Sequence, residues 1–398
     1  MSRPVTSLAI LALAGLAAAA DDNAVSTTIS GQIQVRAEMS NAYQDNAGPF
    51  SPADNANGKP DTLDLYLRRA RLGAKFATAN KQWSGSFVIA ADNADQSGTA
   101  SRTPALFQVF IARNFTSDEG ATKQSLQGGL DYAWYNRASF GPSTTTLLPT
   151  LRATQGYMGQ RGVGVGYKYL TKTVKVGVDI QNNSGDSVTA TKTEREGLFY
   201  SGRVELSPAG EWNLDKYQET YAGAPGQGVL LGLELGYNNH DVSTAGVADT
   251  ITSTAAIAAE LLVRKDAFVG LVEARAQRAY TTVKNAGVES KGTTNAVAFI
   301  VQGGYAIPSD ALSAGSALEL AARLTLQNRN DINGNRTFGS GDYGPNGRQF
   351  EVGVTYYDVV ELAKDGKGNK TGLVYTNWHA AEGGSQAHVV RIQHQFVF

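Results

Sequence analysis

The chain has 398 residues, a formal net charge of −1, charged residues at 18%, 44 glycines and no cysteine. The near-zero charge gives no basic field for nucleic acid, and the missing cysteine excludes a disulfide framework. The charged fraction lies below the roughly 25% usual for soluble domains, glycine lies above its usual share of about 7%, and tyrosine outnumbers phenylalanine 17 to 14, which suits a protein with interfacial aromatic girdles.

At the start of the chain, Met1-Ser-Arg-Pro carries one positive charge, and Leu8 to Leu16 is an apolar run too short to cross a bilayer as a helix. Ala18-Ala19-Ala20 supplies a small-residue cleavage pattern, with the cut before Asp21. Residues 1–20 therefore read as a secretory signal peptide. No later segment is apolar for long enough to form a transmembrane helix, so residues 21–398 read as one exported domain.

The next signal is strict alternation. Ile29, Ile33, Val35 and Met39 share one strand face, and Gln32, Gln34, Arg36 and Glu38 share the other. The run Leu63 to Phe76 alternates too, but changes phase near Arg68-Arg69, which signals a bulge or an exit from the membrane there. Val174–Gln181, Leu231–Tyr237, Leu318–Gln327 and Phe350–Tyr356 repeat the pattern. In the last eleven residues Val390, Ile392, Phe396 and Phe398 oppose Arg391, Gln393 and Gln395, with His394 as a polar residue on the apolar face. Charges at every second or fourth position are costly in a dry core. They are comfortable facing a water-filled lumen while the apolar alternates face lipid. A last strand ending on an aromatic suits closure against the first strand, which leaves no unpaired edge in lipid.

The expectation is an all-β transmembrane antiparallel up-and-down barrel. About sixteen segments qualify, at 28–39, 62–77, 82–92, 104–115, 125–135, 159–169, 172–182, 197–207, 228–239, 253–264, 266–278, 294–306, 316–328, 348–358, 370–378 and 387–398. Each approaches the roughly nine to eleven residues of a tilted membrane strand. Long and short connections largely alternate: 40–61, 136–158 and 329–347 are long, whereas Asn80-Lys81, Leu170-Thr171 and Lys265-Asp266 are tight. Such barrels carry long extracellular loops and short periplasmic turns. Residues 208–227 break the scheme, being a long connection on the short-turn side.

Three landmarks carry a family resemblance. Leu67-Arg68-Arg69-Ala70-Arg71-Leu72-Gly73-Ala74-Lys75-Phe76 resembles an early strand of the phosphate-selective porin O and P family. Gln160-Arg161-Gly162-Val163-Gly164-Val165 is similar to the family's strand after its third loop, and Val390–Phe396 to its closing strand, with His394 where an aromatic is expected. The resemblance spans nearly the whole mature chain. It implies a sixteen-stranded, homotrimeric porin in the outer membrane of a Gram-negative-type bacterium, in contact with outer-membrane lipid and lipopolysaccharide. Phosphate specificity in that family rests on a ladder of lumenal arginines and a few central lysines, which are not mapped residue by residue onto this chain.

In porins generally the third extracellular loop folds inward. Here that segment, Asn136 to Met158, contains Arg137 and Arg152 and no Asp or Glu, and no carboxylate occurs from Tyr132 to Val178. A low-dielectric wall focuses such an unbalanced charge set, and cationic rings favour anions. Arg137, Arg152 and Arg161 are the candidate constriction residues. Arg36, Arg69, Arg71, Lys75, Lys168, Lys175, Arg203 and Arg323 are the candidate pore lining. Each also reads as a plain solvated loop or lumenal charge. Elsewhere Arg264, Arg275 and Arg391 add to the cations, and Glu38, Glu205, Glu234, Glu260, Glu273, Glu319 and Glu351 oppose them. That near-balance points to general diffusion of small anionic or neutral solutes with a modest anion preference.

The remaining motifs are weaker. Gly162-x-Gly164-x-Gly166 lies in an alternating strand with no helix pattern after it, so it is no nucleotide-binding turn; small residues there admit close approach by the folded loop or a neighbouring subunit. Asp331-x-Asn333-x-Asn335, with Asp342 at the twelfth position, resembles a calcium loop, but Arg336 stands where glycine is required and no helices flank it. His240, His379, His388 and His394 give no nucleophile–base arrangement. The chain therefore reads as a non-enzyme without cofactor or metal. The rival reading is a surface protein or adhesin whose barrel is mainly an anchor.

Overall fold

The computed structural model describes residues 24–40, 62–91, 105–116, 122–133, 147–148, 161–182, 197–208, 214, 227–242, 249–285, 288–307, 315–331, 347–358, 368–380 and 386–398. Its strands are β1 (Val25–Ser40), β2 (Thr62–Thr78), β3 (Trp83–Ala90), β4 (Ala105–Thr116), β5 (Lys123–Tyr132), β6 (Arg161–Leu170), β7 (Val174–Asn182) and β8 (Leu198–Leu206). They continue as β9 (Gly228–Val242), β10 (Asp249–Lys265), β11 (Phe268–Asn285), β12 (Val288–Ile307), β13 (Ala317–Asp331), β14 (Gly347–Tyr357), β15 (Gly368–Ala380) and β16 (Gln386–Val397). Each pairs antiparallel with its sequence neighbours, and β16 returns to β1 to close the barrel. The expected signal peptide, residues 1–20, lies outside the described residues.

The strands coincide closely with the alternating segments. The largest differences are in β10 to β12, which run well past the expected 253–264, 266–278 and 294–306. Apolar alternation stops where the hydrocarbon stops, but backbone pairing does not need it. The ladder continues through Thr281, Thr282 and Lys291, so the hairpin projects beyond the apolar band.

Polarity is inverted relative to a soluble sheet. Outward Ile29 and Leu65 are 67% and 75% exposed, whereas inward Gln34, Glu351 and Arg323 are 0%, 0% and 2% exposed. An apolar outside on a closed, hydrogen-bonded ladder of strands is the arrangement hydrocarbon demands, and the barrel is transmembrane. Exposed aromatics mark both rims: Trp83, Phe115, Phe268, Tyr305 and Phe396 toward the end holding the chain termini, and Tyr200, Tyr237, Tyr280 and Tyr375 toward the opposite end. Arg113 stacks its guanidinium 5.1 Å from the Trp83 ring centre on the outer face, keeping its charge at the interface.

The closing seam is held from inside and outside. Inside, Arg391 donates to both oxygens of Glu38, at 2.6 and 3.1 Å, and Arg36 donates to Gln393 at 2.7 Å, while Gln34 donates to Gln395. Outside, Phe398 and Gly31 exchange backbone bonds of 3.0 and 3.1 Å, and the Phe398 ring covers Gly31 where a side chain would stand. The expected phase change in β2 is a bulge: Arg69 pairs with Gln34 and Leu67 with Val35, so Arg68 is the extra residue. Its Nη1 donates to Gln34 Oε1 at 3.0 Å, which ties the bulge to the seam.

A charge placed on the outer face has no water to meet. Leu324→Arg, at an outward site in β13, is expected to destabilise the barrel by about 2–4 kcal/mol. Denaturant unfolding in lipid vesicles measures it, with Leu324→Ala as the packing control.

Candidate functional site: the barrel interior

Period-two geometry fixes which side chains enter the barrel. All eight candidate lining residues occupy inner-face positions: Arg36 on β1, Arg69, Arg71 and Lys75 on β2, Lys168 on β6, Lys175 on β7, Arg203 on β8 and Arg323 on β13. Of the candidate constriction residues, Arg137 and Arg152 lie outside the described residues. Arg161 opens β6 opposite Tyr132, and its side chain also lies outside them.

The inner charges are segregated. On β2 to β6, Arg68, Arg69, Arg71, Lys75, Lys123 and Lys168 hold inner-face positions. Among the side chains described on those strands, Asp131 is the one inner carboxylate, and it accepts bonds from Gln108 at 2.6 Å and Gln127 at 2.9 Å. Arg71 stacks 3.8 Å from the centre of the Phe107 ring. On β8 to β14 the acids dominate: Glu205, Glu234, Glu260, Glu273, Glu319 and Glu351 face Arg203, Arg264, Arg275 and Arg323.

The acid-rich wall is an ion-pair network. Arg203, 3% exposed, donates to Glu205 at 2.6 Å and also to Glu234 and Glu260. Arg275 reaches Glu234 at 3.2 Å and also Glu273. Lys175 lies 3.8 Å from Glu205, Arg323 pairs with Glu351, and Tyr357 donates to Glu319 at 2.6 Å. These buried charges pair with one another, and pairing is the condition for holding charge out of water.

Two apolar patches interrupt this polar interior, and each receives leucine from a connection. Leu147 and Leu148, within the 136–158 segment, are each 1% exposed and pack with Val269, Ala321 and Val374 on the inner faces of β11, β13 and β15. Glycine makes the room: a Cβ on Gly304 of β12 would lie 2.5 Å from Leu147 Cδ1, and one on Gly353 of β14 would lie 2.8 Å from Leu148 Cδ2. The segment is rooted on β5 and β6. With sixteen strands in sequence order round the ring, β13 and β14 stand diametrically opposite. Leu147 and Leu148 therefore rest inside the barrel on the wall opposite β5 and β6.

The second patch explains the anomalous 208–227 connection. Its Leu214 is 3% exposed and packs with Leu170, Leu230, Leu262, Leu271 and Ile300. Lys175 Nζ donates to the Leu214 carbonyl at 3.0 Å. Leu214, within this long connection, is thus seated inside the barrel toward the end that holds the termini.

Sequence reasoning missed both patches. The available signal was apolar residues at inner-face positions, such as Leu230 beside Leu231 and Leu262 between Leu261 and Val263. The glycines of β6 also differ from expectation. Added Cβ atoms on Gly162 and Gly164 would meet Asn182, Gln181 and the Ile180 carbonyl of neighbouring β7, so there the close approach is made by the next strand. The calcium-like run has only Asp331 among the described residues, at the end of β13.

The docking of the inward segment is directly testable, because the chain has no native cysteine. A Cβ on Gly304 would lie 3.3 Å from Leu147 Cγ, close to where a cysteine sulfur would stand, so the site suits a disulfide. The double variant Leu147→Cys/Gly304→Cys is expected to crosslink under mild oxidant, seen as a mobility change of the denatured chain. Absence of the crosslink would show that the segment does not rest on β12.

Comparison with known proteins agrees on the fold. The chain is similar to the outer membrane channel DcaP of Acinetobacter baumannii, with TM-score 0.57 and 15% identity over 94% of this chain and 97% of that one. It is similar to an anion-selective porin from Comamonas acidovorans, with TM-score 0.53 and 12% identity over 94% and 100%. It is also similar to OmpT of Vibrio cholerae, an outer-membrane protein, with TM-score 0.52 and 10% identity over 95% and 99%. No protein-family model matches the chain, and no curated protein matches its sequence.

Proposed function

We propose that the protein is an outer-membrane porin. It passes small hydrophilic solutes by diffusion, prefers anions modestly, and is constricted where the 136–158 segment crosses the lumen. In this reading residues 1–20 direct export and are removed, and the barrel sits as a homotrimer among outer-membrane lipid and lipopolysaccharide. Arg137, Arg152 and Arg161 line the narrow part. Arg36, Arg69, Arg71, Lys75, Lys168, Lys175, Arg203 and Arg323 form the charged lining.

The observation that carries the reading is the seat of Leu147 and Leu148 on the wall opposite β5–β6. It supports a 136–158 segment that divides an interior wide enough for an aqueous passage. The wall next to its root carries the excess of cations, whereas the acids of β8–β14 are bound up with arginines. Solutes moving along β1–β6 therefore meet net positive charge, and a cationic lining favours anions. The anion selectivity in the name of the Comamonas porin agrees. The resemblance to the phosphate-selective porin O and P family makes phosphate one anion to test in competition with chloride.

No enzymatic role is proposed. His388 stacks on Tyr375 and His394 bonds Thr371 at 2.9 Å, both at outward positions, where neither has a lumenal substrate to reach. One observation favours the rival reading, a surface protein anchored by its barrel: the inner face from β8 to β16 is closely covered, with Glu205, Glu351 and Thr376 each 0% exposed.

Planar-bilayer recording decides between them. The expected result is an open channel whose reversal potential in a potassium chloride gradient lies on the chloride side. Neutralising Arg69, Arg71 and Lys168 together is expected to move it toward zero selectivity. Arg203→Met is expected to lower unfolding stability by about 3–5 kcal/mol, because its carboxylates lose their partner. Clear cation selectivity would reject the anion preference, and absence of conductance would favour the anchor.

A further inference from the structure

Between β1 and β4, toward the end holding the termini, the inner wall contains a recess of about 450 Å³, within the roughly 300–1,000 Å³ range of small-molecule sites. Its polar lining is Ser26, Thr28, Lys75, Ser84, Ser86 and Gln108, with Phe110 beside them. Register explains the space. Lys75 pairs with Thr28 on one side and Ser86 on the other, so one long ammonium side chain stands between short hydroxyl side chains.

The hydrogen-bond inventory of the recess is specific. No carboxylate lines it. Asp131, on β5, is already held by Gln108 and Gln127. Because the Gln108 amide nitrogen donates to Asp131, its carbonyl oxygen remains an acceptor. Ser26 donates to the Ala77 carbonyl at 3.2 Å, which leaves its lone pairs. Ser84 accepts from Asn114 at 3.0 Å, which leaves its proton. Among the described residues, Lys75, Thr28 and Ser86 have no side-chain hydrogen-bond or ion-pair partner. The recess thus offers a cation and several hydroxyl donors together with amide and hydroxyl acceptors. A bare inorganic anion uses only the donors.

We propose that this recess binds a hydroxylated carboxylate of the sugar-acid class. The Lys75 ammonium takes the carboxylate in a charge-assisted contact. Thr28 and Ser86 donate to it or to a ligand hydroxyl. The Gln108 carbonyl and Ser26 accept from ligand hydroxyls, and Phe110 faces the ligand's C–H surface. The proposal deepens the channel reading and rests on it for its transport meaning.

Gluconate is a suitable probe, with hexanoate and inorganic phosphate as comparisons. Titration calorimetry on detergent-purified protein reads binding, and block of chloride current in planar bilayers reads occupancy. Gluconate is expected to give saturable heat and a concentration-dependent block, with hexanoate and phosphate weaker by about tenfold or more, since a site built for hydroxyl groups discriminates against ligands without them. Lys75→Gln is expected to abolish the saturable heat and the gluconate block. Thr28→Val/Ser86→Ala is expected to bring gluconate toward the level of hexanoate. Equal affinity for the three probes, wild-type binding by Lys75→Gln, or absence of saturable heat would overturn the proposal. Lys75-dependent gluconate binding to a barrel that conducts no chloride would support the recess and overturn the channel reading instead.

Discussion

Hydrocarbon offers no partner to a backbone amide or carbonyl, and the architecture follows from that constraint. A sheet in lipid must close, so β16 pairs with β1 and the seam is reinforced by Arg391–Glu38, Arg36–Gln393 and the Phe398 ring over Gly31. Once the sheet is closed, each strand has one face in lipid and one inside. The outer face must be apolar, so the chain's charged and amide side chains collect within. The interior is therefore polar as a consequence of closure, before any demand of transport is considered.

An interior built this way has its own electrostatic problem, and the two walls solve it differently. On β8 to β14, Arg203 serves three glutamates and Arg275 two. Such a wall is internally paired, and truncating any one member strands its partners. On β2 to β6 the cations are dispersed among serines, threonines, glycines and amides. Arg71 rests on an aromatic face, and Lys75 stands among short hydroxyl side chains. The first wall resembles a structural core made of charges. The second presents charge and hydrogen-bonding capacity to whatever occupies the lumen.

Most of the fold was legible because two-residue alternation is a direct imprint of a sheet with lipid on one side and polar surroundings on the other. Even the bulge at Arg68 was visible, since an extra residue must shift the phase of all that follows. The inner and outer assignments of Ile33, Gln34, Leu324 and Arg323 came from the same rule. What alternation cannot reveal is a leucine that faces inward. Leu230, Leu262 and Leu271 sit beside outward apolar residues, and an apolar side chain carries the same letter whether lipid or a folded-in segment covers it. The role of Leu214 was hidden for that reason, although the excess length of its connection was conspicuous. Charge pairing was equally opaque: Arg203 and Lys75 looked alike in sequence, and register placed one among carboxylates and the other among hydroxyls.

The inward leucines show how a polar cavity can hold a segment in place. Hydrogen bonds from a loop to a wet, charged wall exchange for bonds to water and give little net hold. A leucine pair seated on an apolar patch is removed from water outright, and burial of each such side chain is worth about 1.5–3 kcal/mol. Leu147 and Leu148 are therefore held firmly on the far wall, where Gly304 and Gly353 make room for them. Leu214 is seated in the same way at the other end, against Leu170 of β6 and leucine and isoleucine side chains of β9 to β12. The Leu147–Leu148 seat falls on β11 to β15, across the ring from β5 and β6. Leu147 and Leu148 thus rest on the wall whose charges are largely spent on one another, opposite the strands whose cations are dispersed among hydroxyl and amide side chains.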